Sequence, residues 1–186
     1  MRQLTARIEA NPALQTFVLA GGVAFFALCT AAGAQIRILL PFSPVPVTGQ
    51  TFFVLLAGAL MGRKLGPASQ GLYWLLALTV PGTTAGPLGM TAGYIIGFAA
   101  AAYIIGAIVG ESRSFWRVLG AKAIGSAVIY VLGGAWLAGA TGSLSIGVMK
   151  GVVPFIPGDI VKVIVAASIV AGGRAAFRQS REPKSL

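Results

Sequence analysis

The stretch Leu88–Val109, LGMTAGYIIGFAAAAYIIGAIV, decides the fold. It contains no charged side chain, and as a helix it is long enough to cross the roughly 30 Å hydrocarbon core of a bilayer. Its small residues, Gly93 and Gly97 among them, suit close packing between helices in lipid. Similar apolar runs recur along the chain, of which 56% is hydrophobic and only 10% charged. The mean hydropathy is +0.87. We therefore expect an all-α, polytopic integral membrane protein.

Six apolar runs predict six transmembrane helices in a single domain, residues 1–186. The second and third are short, so they are tilted, extended into neighbouring loops or partly re-entrant. A polar N-terminal segment without a cleavage pattern indicates that the first helix is retained. The predicted helices are Leu14–Ile36, Thr51–Met61, Leu65–Val80, Leu88–Val109, Leu119–Ala140 and Asp159–Phe177.

The basic residues predict the orientation, because Lys and Arg accumulate on the cytoplasmic side of a membrane. Eleven of the 14 lie on the side of the two termini: Arg2, Arg7, Arg63, Lys64, Arg113, Arg117, Lys122, Arg174, Arg178, Arg181 and Lys184. Only Arg37, Lys150 and Lys162 lie on the other side. We expect cytoplasmic N- and C-termini and a multi-pass protein of the inner (plasma) membrane.

The composition argues against an enzyme. The chain has no histidine, one cysteine (Cys29) and four acids, so general bases and metal ligands are scarce, and we expect no metal and no cofactor. No P-loop motif for ATP occurs. The basic residues sit between helices rather than on one face with aromatic residues, so we expect no nucleic-acid partner. A transporter fits these features better than a catalyst.

The three connections predicted to face outward are rich in Pro and Gly and nearly uncharged. The first, Leu40–Thr51, contains Pro41, Pro44 and Pro46, which stiffen the backbone and reduce its unpaired N–H groups. We expect this loop to fold back over the bundle as a cap, although an ordinary rigid turn has the same composition.

Asp159 and Lys162 form the sharpest chemical feature. They lie three residues apart at the start of the last predicted helix, so they share one helix face. Charged groups within a bilayer are costly and are usually kept for a function. The carboxylate can accept ligand N–H groups, and the ammonium can donate to a carbonyl. A local ion pair with Lys162 reaching out to water is the alternative.

The chain resembles the BioY family, the biotin-binding membrane subunits (S components) of energy-coupling factor (ECF) transporters. Three motifs carry the resemblance: Pro44–Thr51 (PVPVTGQT), Met90–Phe98 (MTAGYIIGF) and Pro154–Lys162 (PFIPGDIVK). It implies six helices, capture of biotin from outside, a capping first loop, and association with a transmembrane coupling subunit and ATPases. Transport without those ATPases remains open.

A biotin site needs an apolar wall and a few fixed polar groups. Tyr94, Tyr73 and Trp74 are the candidates for the wall, and Thr48, Gln50, Asp159 and Lys162 for the hydrogen bonds. The aromatic residues can equally belong to the core or to interfacial belts. The resemblance places the partner interface on small residues of the first helix, Ala20, Ala24, Ala27 and Ala31, which otherwise fit packing within the bundle.

The sequence departs from the family in Gly89–Tyr94, where the family usually has Gly-Pro-Thr-Gly-Gly-Tyr, and in Val80–Leu88, which is shortened. Thr83 and Thr84 are the candidates for the polar contact expected in that loop.

Three alternative functions stay open beside biotin uptake. They are a carrier of the same architecture for another small vitamin or heterocycle, a membrane enzyme using Asp159 and Lys162, and a purely structural subunit.

Overall fold

The computed structural model describes residues 11–80, 88–112 and 114–179, with side chains through residue 174. Helix α1, Pro12–Gln35, begins where the Asn11 side chain accepts hydrogen bonds from the backbone N–H groups of Ala13 and Leu14. A two-residue strand pair follows, β1 (Arg37–Ile38) antiparallel to β2 (Val47–Thr48), with Arg37 opposite Thr48. The proline-rich first loop is therefore a short hairpin, which the sequence did not predict.

Helix α2, Gln50–Thr79, contains the predicted second and third helices as two arms of one helical stretch. The break lies at Gly62, whose φ of 76° and ψ of −175° are not helical. In a straight helix, residues 58 and 66 are about 12 Å apart. Here a Cβ placed on Gly66 would lie 3.0 Å from the Cα of Gly58, so the two arms fold back on each other.

Helix α3 is Ala92–Val109 and α4 is Phe115–Thr141. The first starts four residues later than predicted. The second starts four residues earlier, because the Ser114 side chain caps it by accepting a hydrogen bond from the Arg117 N–H. Lys122, which the sequence analysis counted with the basic connection, lies inside α4 and is fully buried.

Helix α5, Leu144–Gly151, was not predicted. A 3₁₀ turn, Val153–Phe155, joins it to α6, Ile156–Gln179. The predicted start of the last helix at Asp159 is three residues late. Pro157 was read as a boundary, but proline is tolerated in a first turn, where its missing N–H has no helical acceptor.

The fold is all-α apart from the hairpin, and its apolar helices fit a membrane protein. Within the described residues, four helical runs are long and apolar enough to cross a membrane: Pro12–Gln35, Ala92–Val109, Phe115–Thr141 and Leu144–Arg174. The last run combines α5, the 3₁₀ turn and most of α6. Six spans and the side of the termini remain predictions.

Candidate functional site

A cavity lies where the hairpin and the ends of α1, α2, α3 and α6 meet the middle of α4. It holds about 620 Å³ of unoccupied space, including the space at its open side. The lining residues are Ala34, Arg37, Val45, Pro46, Thr48, Gln50, Thr51, Thr91, Tyr94, Ile95, Phe98, Ile129, Tyr130, Phe155, Asp159 and Lys162.

Asp159 is the centre of the polar part of this cavity. The residue is 4% exposed, and its carboxylate is held on both oxygens. Oδ1 accepts from Lys162 Nζ at 2.7 Å and from Thr51 Oγ1 at 3.1 Å. Oδ2 accepts from the Tyr130 hydroxyl at 2.8 Å. Hydrogen bonds to an ionised carboxylate are about twice as strong as neutral ones, so this group has a fixed orientation.

Lys162 joins this carboxylate to the hairpin. Its ammonium also donates to the backbone carbonyl of Thr48 at 2.7 Å and to Thr51 Oγ1 at 3.0 Å. The two partners are more than 100 positions away in sequence and are brought there by β2 and the first turn of α2. Lys162 therefore points into the site and not out to water, which rejects the alternative of an ammonium that reaches outward.

Thr48 and Gln50 continue the polar side of the cavity. The Thr48 hydroxyl donates to Gln50 Oε1 at 2.8 Å, and Gln50 Nε2 donates to the hydroxyl of Tyr73. Gln50 is 7% exposed and Tyr73 is fully buried. Tyr73 thus fixes the Gln50 amide from behind and does not itself line the cavity.

The rest of the cavity wall is apolar and aromatic. Tyr94 and Phe155 pack with ring centroids 6.2 Å apart, and the Tyr94 hydroxyl donates to the carbonyl of Gly151 at 2.6 Å. Phe98 and Ile129 extend this wall from α3 and α4. Because the Tyr94 hydroxyl is already bonded to Gly151, the ring contributes mainly an apolar face.

The hairpin covers one side of the cavity. Val45 is 5% exposed, and the Ser43 hydroxyl donates to the Lys150 carbonyl at the end of α5 at 2.7 Å. At the hairpin base, the N–H of Gly49 donates to the carbonyls of Gly33 and Ile36. The exposed Arg37 also lines the cavity.

The structure brings five of the predicted site residues together in the cavity wall: Thr48, Gln50, Tyr94, Asp159 and Lys162. Tyr73 and Trp74 are not in the wall, and Thr83 and Thr84 lie outside the described residues. Among the alanines of α1, Ala20 is exposed, Ala24 and Ala31 are half-buried, and Ala27 is fully buried.

Sequence reasoning missed Thr51 and Tyr130. Thr51 is the last residue of the motif Pro44–Thr51, so the motif itself could have marked it as a site candidate. Tyr130 lies within the apolar run of α4, 29 residues before its partner Asp159, and no local pattern marks it.

Comparisons with known proteins identify the family of this chain. A sequence model described as the BioY family matches residues 10–179. A probable biotin transporter BioY of Pyrococcus horikoshii is 42% identical over 154 residues, covering 79% of this chain and 90% of that protein. A biotin transporter BioY of Rhodobacter capsulatus is 35% identical, covering 84% and 92%.

A solved structure has the same fold. It is the crystal structure of the S-component for biotin from an ECF-type ABC transporter, with a TM-score of 0.78 and 27% sequence identity. The match covers 87% of this chain and 93% of that one.

Proposed function

Because the chain belongs to the BioY family, we propose that it is a biotin uptake protein, the substrate-binding membrane subunit (S component) of an ECF transporter. It is a transport protein and not an enzyme. Biotin is captured at the cavity from the outer face and delivered to the cytoplasm.

The observation that carries this proposal is the ion pair of buried Asp159 and half-buried Lys162 in a cavity whose opposite wall is apolar. Biotin combines an apolar bicycle with a ureido group, which offers N–H donors and a carbonyl acceptor. A carboxylate beside an ammonium presents one acceptor and one donor side by side. The paired charges also largely neutralise each other, which suits a neutral ureido group better than an ion.

The aromatic wall fits the apolar part of biotin. Tyr94, Phe98 and Phe155 supply apolar surface in the same cavity as Asp159. We assign the ligand contacts to Asp159, Lys162, Thr48, Gln50 and Tyr94. Tyr73 holds the Gln50 amide in place by a hydrogen bond and does not line the cavity itself.

The wider setting follows the family. We propose one transmembrane domain with six spans, the two arms of α2 being two of them, both termini in the cytoplasm, and a place in the inner (plasma) membrane. A coupling subunit and ATPases provide the energy. The exposed small residues of α1, Ala20 with its half-buried neighbour Ala24, are the contact that suits a coupling helix, whereas Ala27 packs within the chain itself.

The test is calorimetric titration of the purified chain in detergent with biotin. Saturable binding is expected, and Asp159→Asn and Lys162→Ala should each weaken it by roughly 2 to 5 kcal/mol, since each leaves a charged group of the cavity wall without its counter-ion. Lys64→Ala, at an exposed lysine far along α2, is the matched control.

Two results would contradict the proposal. If the wild-type chain binds no biotin, the proposed function is wrong. If both site variants bind biotin as tightly as the wild type, Asp159 and Lys162 do not belong to the binding site. Competition by another vitamin at equal strength would favour the carrier for a different heterocycle.

A further inference from the structure

Arg37 is a cation of the cavity wall that no acid of the described residues neutralises. It is exposed, lies opposite Thr48 in the hairpin and lines the cavity. Among the residues that the structure describes, Asp159–Lys162 is the one ion pair, so the guanidinium has no counter-ion there. Its Nη2 donates to a neutral amide, Gln35 Oε1, at 3.2 Å. An arginine has five N–H donors, so most of them are left for a ligand.

The charges of the cavity wall favour a ligand with one negative charge. One lining residue is acidic, Asp159, and two are basic, Arg37 and Lys162. Asp159 and Lys162 pair with each other at 2.7 Å, so the wall keeps one net positive charge, at Arg37. An anionic group bound at Arg37 makes wall and ligand neutral together, whereas the same group beside the Asp159 carboxylate would be repelled.

The positions of Arg37 and the ion pair give a ligand an orientation. Arg37 and Thr48 are partners across the strand pair, and the Thr48 carbonyl accepts from Lys162 Nζ. Asp159 is buried, whereas Arg37 is exposed, so the ion pair lies inside and the arginine lies where water reaches it. A ligand that contacts both therefore has a neutral polar group inside and a charged group near water, where it keeps part of its hydration.

We propose that Arg37 binds the carboxylate of the ligand and thereby makes the cavity selective for an anionic vitamin. The inference rests on the proposed biotin function and assigns the two ends of biotin. The ureido group binds at Asp159 and Lys162, and the carboxylate at the end of the methylene chain binds at Arg37. A planar guanidinium suits this role because it can donate two parallel N–H groups to one carboxylate.

The test compares biotin with biotinamide, in which a neutral amide replaces the carboxylate, by calorimetric titration of the full chain in detergent. The wild type should bind biotin roughly tenfold more tightly than biotinamide, as expected for a hydrogen-bonded charge pair near water. Arg37→Gln should lose this preference because it weakens the binding of biotin alone. Its unchanged affinity for biotinamide would show that the variant is folded.

Three further measurements separate a contact at Arg37 from a general effect of charge. Arg63→Gln makes the same change at an exposed arginine beside the break in α2, and it should keep the preference for biotin. Arg37→Glu should bind biotinamide like the wild type and bind biotin more weakly than Arg37→Gln does, because two carboxylates repel. Added salt should reduce the preference of the wild type, since it screens charges near water.

The assignment of Arg37 is overturned if the wild type binds both ligands equally, if Arg37→Gln keeps the preference for biotin, or if Arg63→Gln loses as much of it. In each of these results the wild type still binds biotin, so the proposed function stands while the role of Arg37 fails. If the wild type binds neither ligand, the proposed function fails and the assignment of Arg37 fails with it.

Discussion

At the scale of single residues, Tyr130 completes the site. A carboxylate offers about four lone-pair positions. Lys162 and Thr51 occupy two on one oxygen of Asp159, and Tyr130 occupies one on the other. One lone-pair position stays open on the oxygen that Tyr130 contacts, and we propose that this phenol positions Asp159 for a ligand N–H.

Tyr130→Phe should weaken biotin binding by roughly tenfold, because it removes the one protein hydrogen bond that holds Oδ2 of the Asp159 carboxylate. Calorimetry gives the affinity. Tyr103→Phe makes the same chemical change at a half-exposed tyrosine of α3 and should leave binding unaltered. Equal affinities in Tyr130→Phe and wild type would show that the phenol does not position the carboxylate.

Much of the site could be predicted from sequence because several of its polar residues sit in short motifs. Asp159 and Lys162 share a helix turn, and Thr48 and Gln50 flank a glycine at a helix start. Tyr130 could not be predicted, since its role arises only when α4 packs against α6. Tyr73 was predicted as a wall residue, but its contact with Gln50 could not be predicted, since it depends on how the arms of α2 fold back.

At the scale of elements, the reversal in α2 depends on Gly62. Its φ and ψ fall in a region that only glycine readily adopts. Gly62→Ala should therefore destabilise the chain by about 1–3 kcal/mol, although an added Cβ would meet no atom within 4 Å.

Thermal unfolding of the purified chain measures this cost. Gly71→Ala, in the second arm of the same helix and equally free of contacts, is the control, and it should be neutral or slightly stabilising. If the two variants unfold at the same temperature, the Gly62 backbone is not the constraint.

A glycine of α4 connects helix packing to the cavity. A Cβ on Gly133 would overlap the ring of Tyr94, at 2.2 Å from Cδ1. Gly133→Ala should displace this ring from the cavity wall and weaken biotin binding about tenfold or more, in line with the 1–3 kcal/mol cost of overpacking. Gly139→Ala, on the same helix with no atom nearby, should bind like wild type. Full affinity in Gly133→Ala would mean that Tyr94 does not contact the ligand.

Helix positions were easier to predict than helix ends. Apolar length placed α1, α3, α4 and α6, because lipid imposes that length, whereas the two arms of α2 were predicted from shorter apolar runs. The ends depend on single groups: the Ser114 cap starts α4 early, and Pro157 fits within the first turn of α6. The short α5 was missed because eight residues leave too weak a periodic signal.

At the scale of the whole molecule, the basic residues predict that the hairpin and the Gly62 break lie on opposite sides of the membrane. The single cysteine allows a direct test. In a Cys29→Ser background, Ser43→Cys should react with a membrane-impermeant maleimide added outside intact cells. Lys64→Cys should react only after the membrane is opened. Labelling of both from the same side would contradict the proposed orientation.

The hydrogen bonds of Lys162 couple ligand capture to the hairpin. An ammonium has three N–H groups, and here all three are engaged, one of them with the backbone of Thr48. A ligand carbonyl that recruits this ammonium must displace one of its present acceptors. A ligand carbonyl and the Thr48 carbonyl of the hairpin therefore compete for the same N–H groups of Lys162. In the proposed binding mode, ligand entry therefore changes the contact that holds the hairpin to α6.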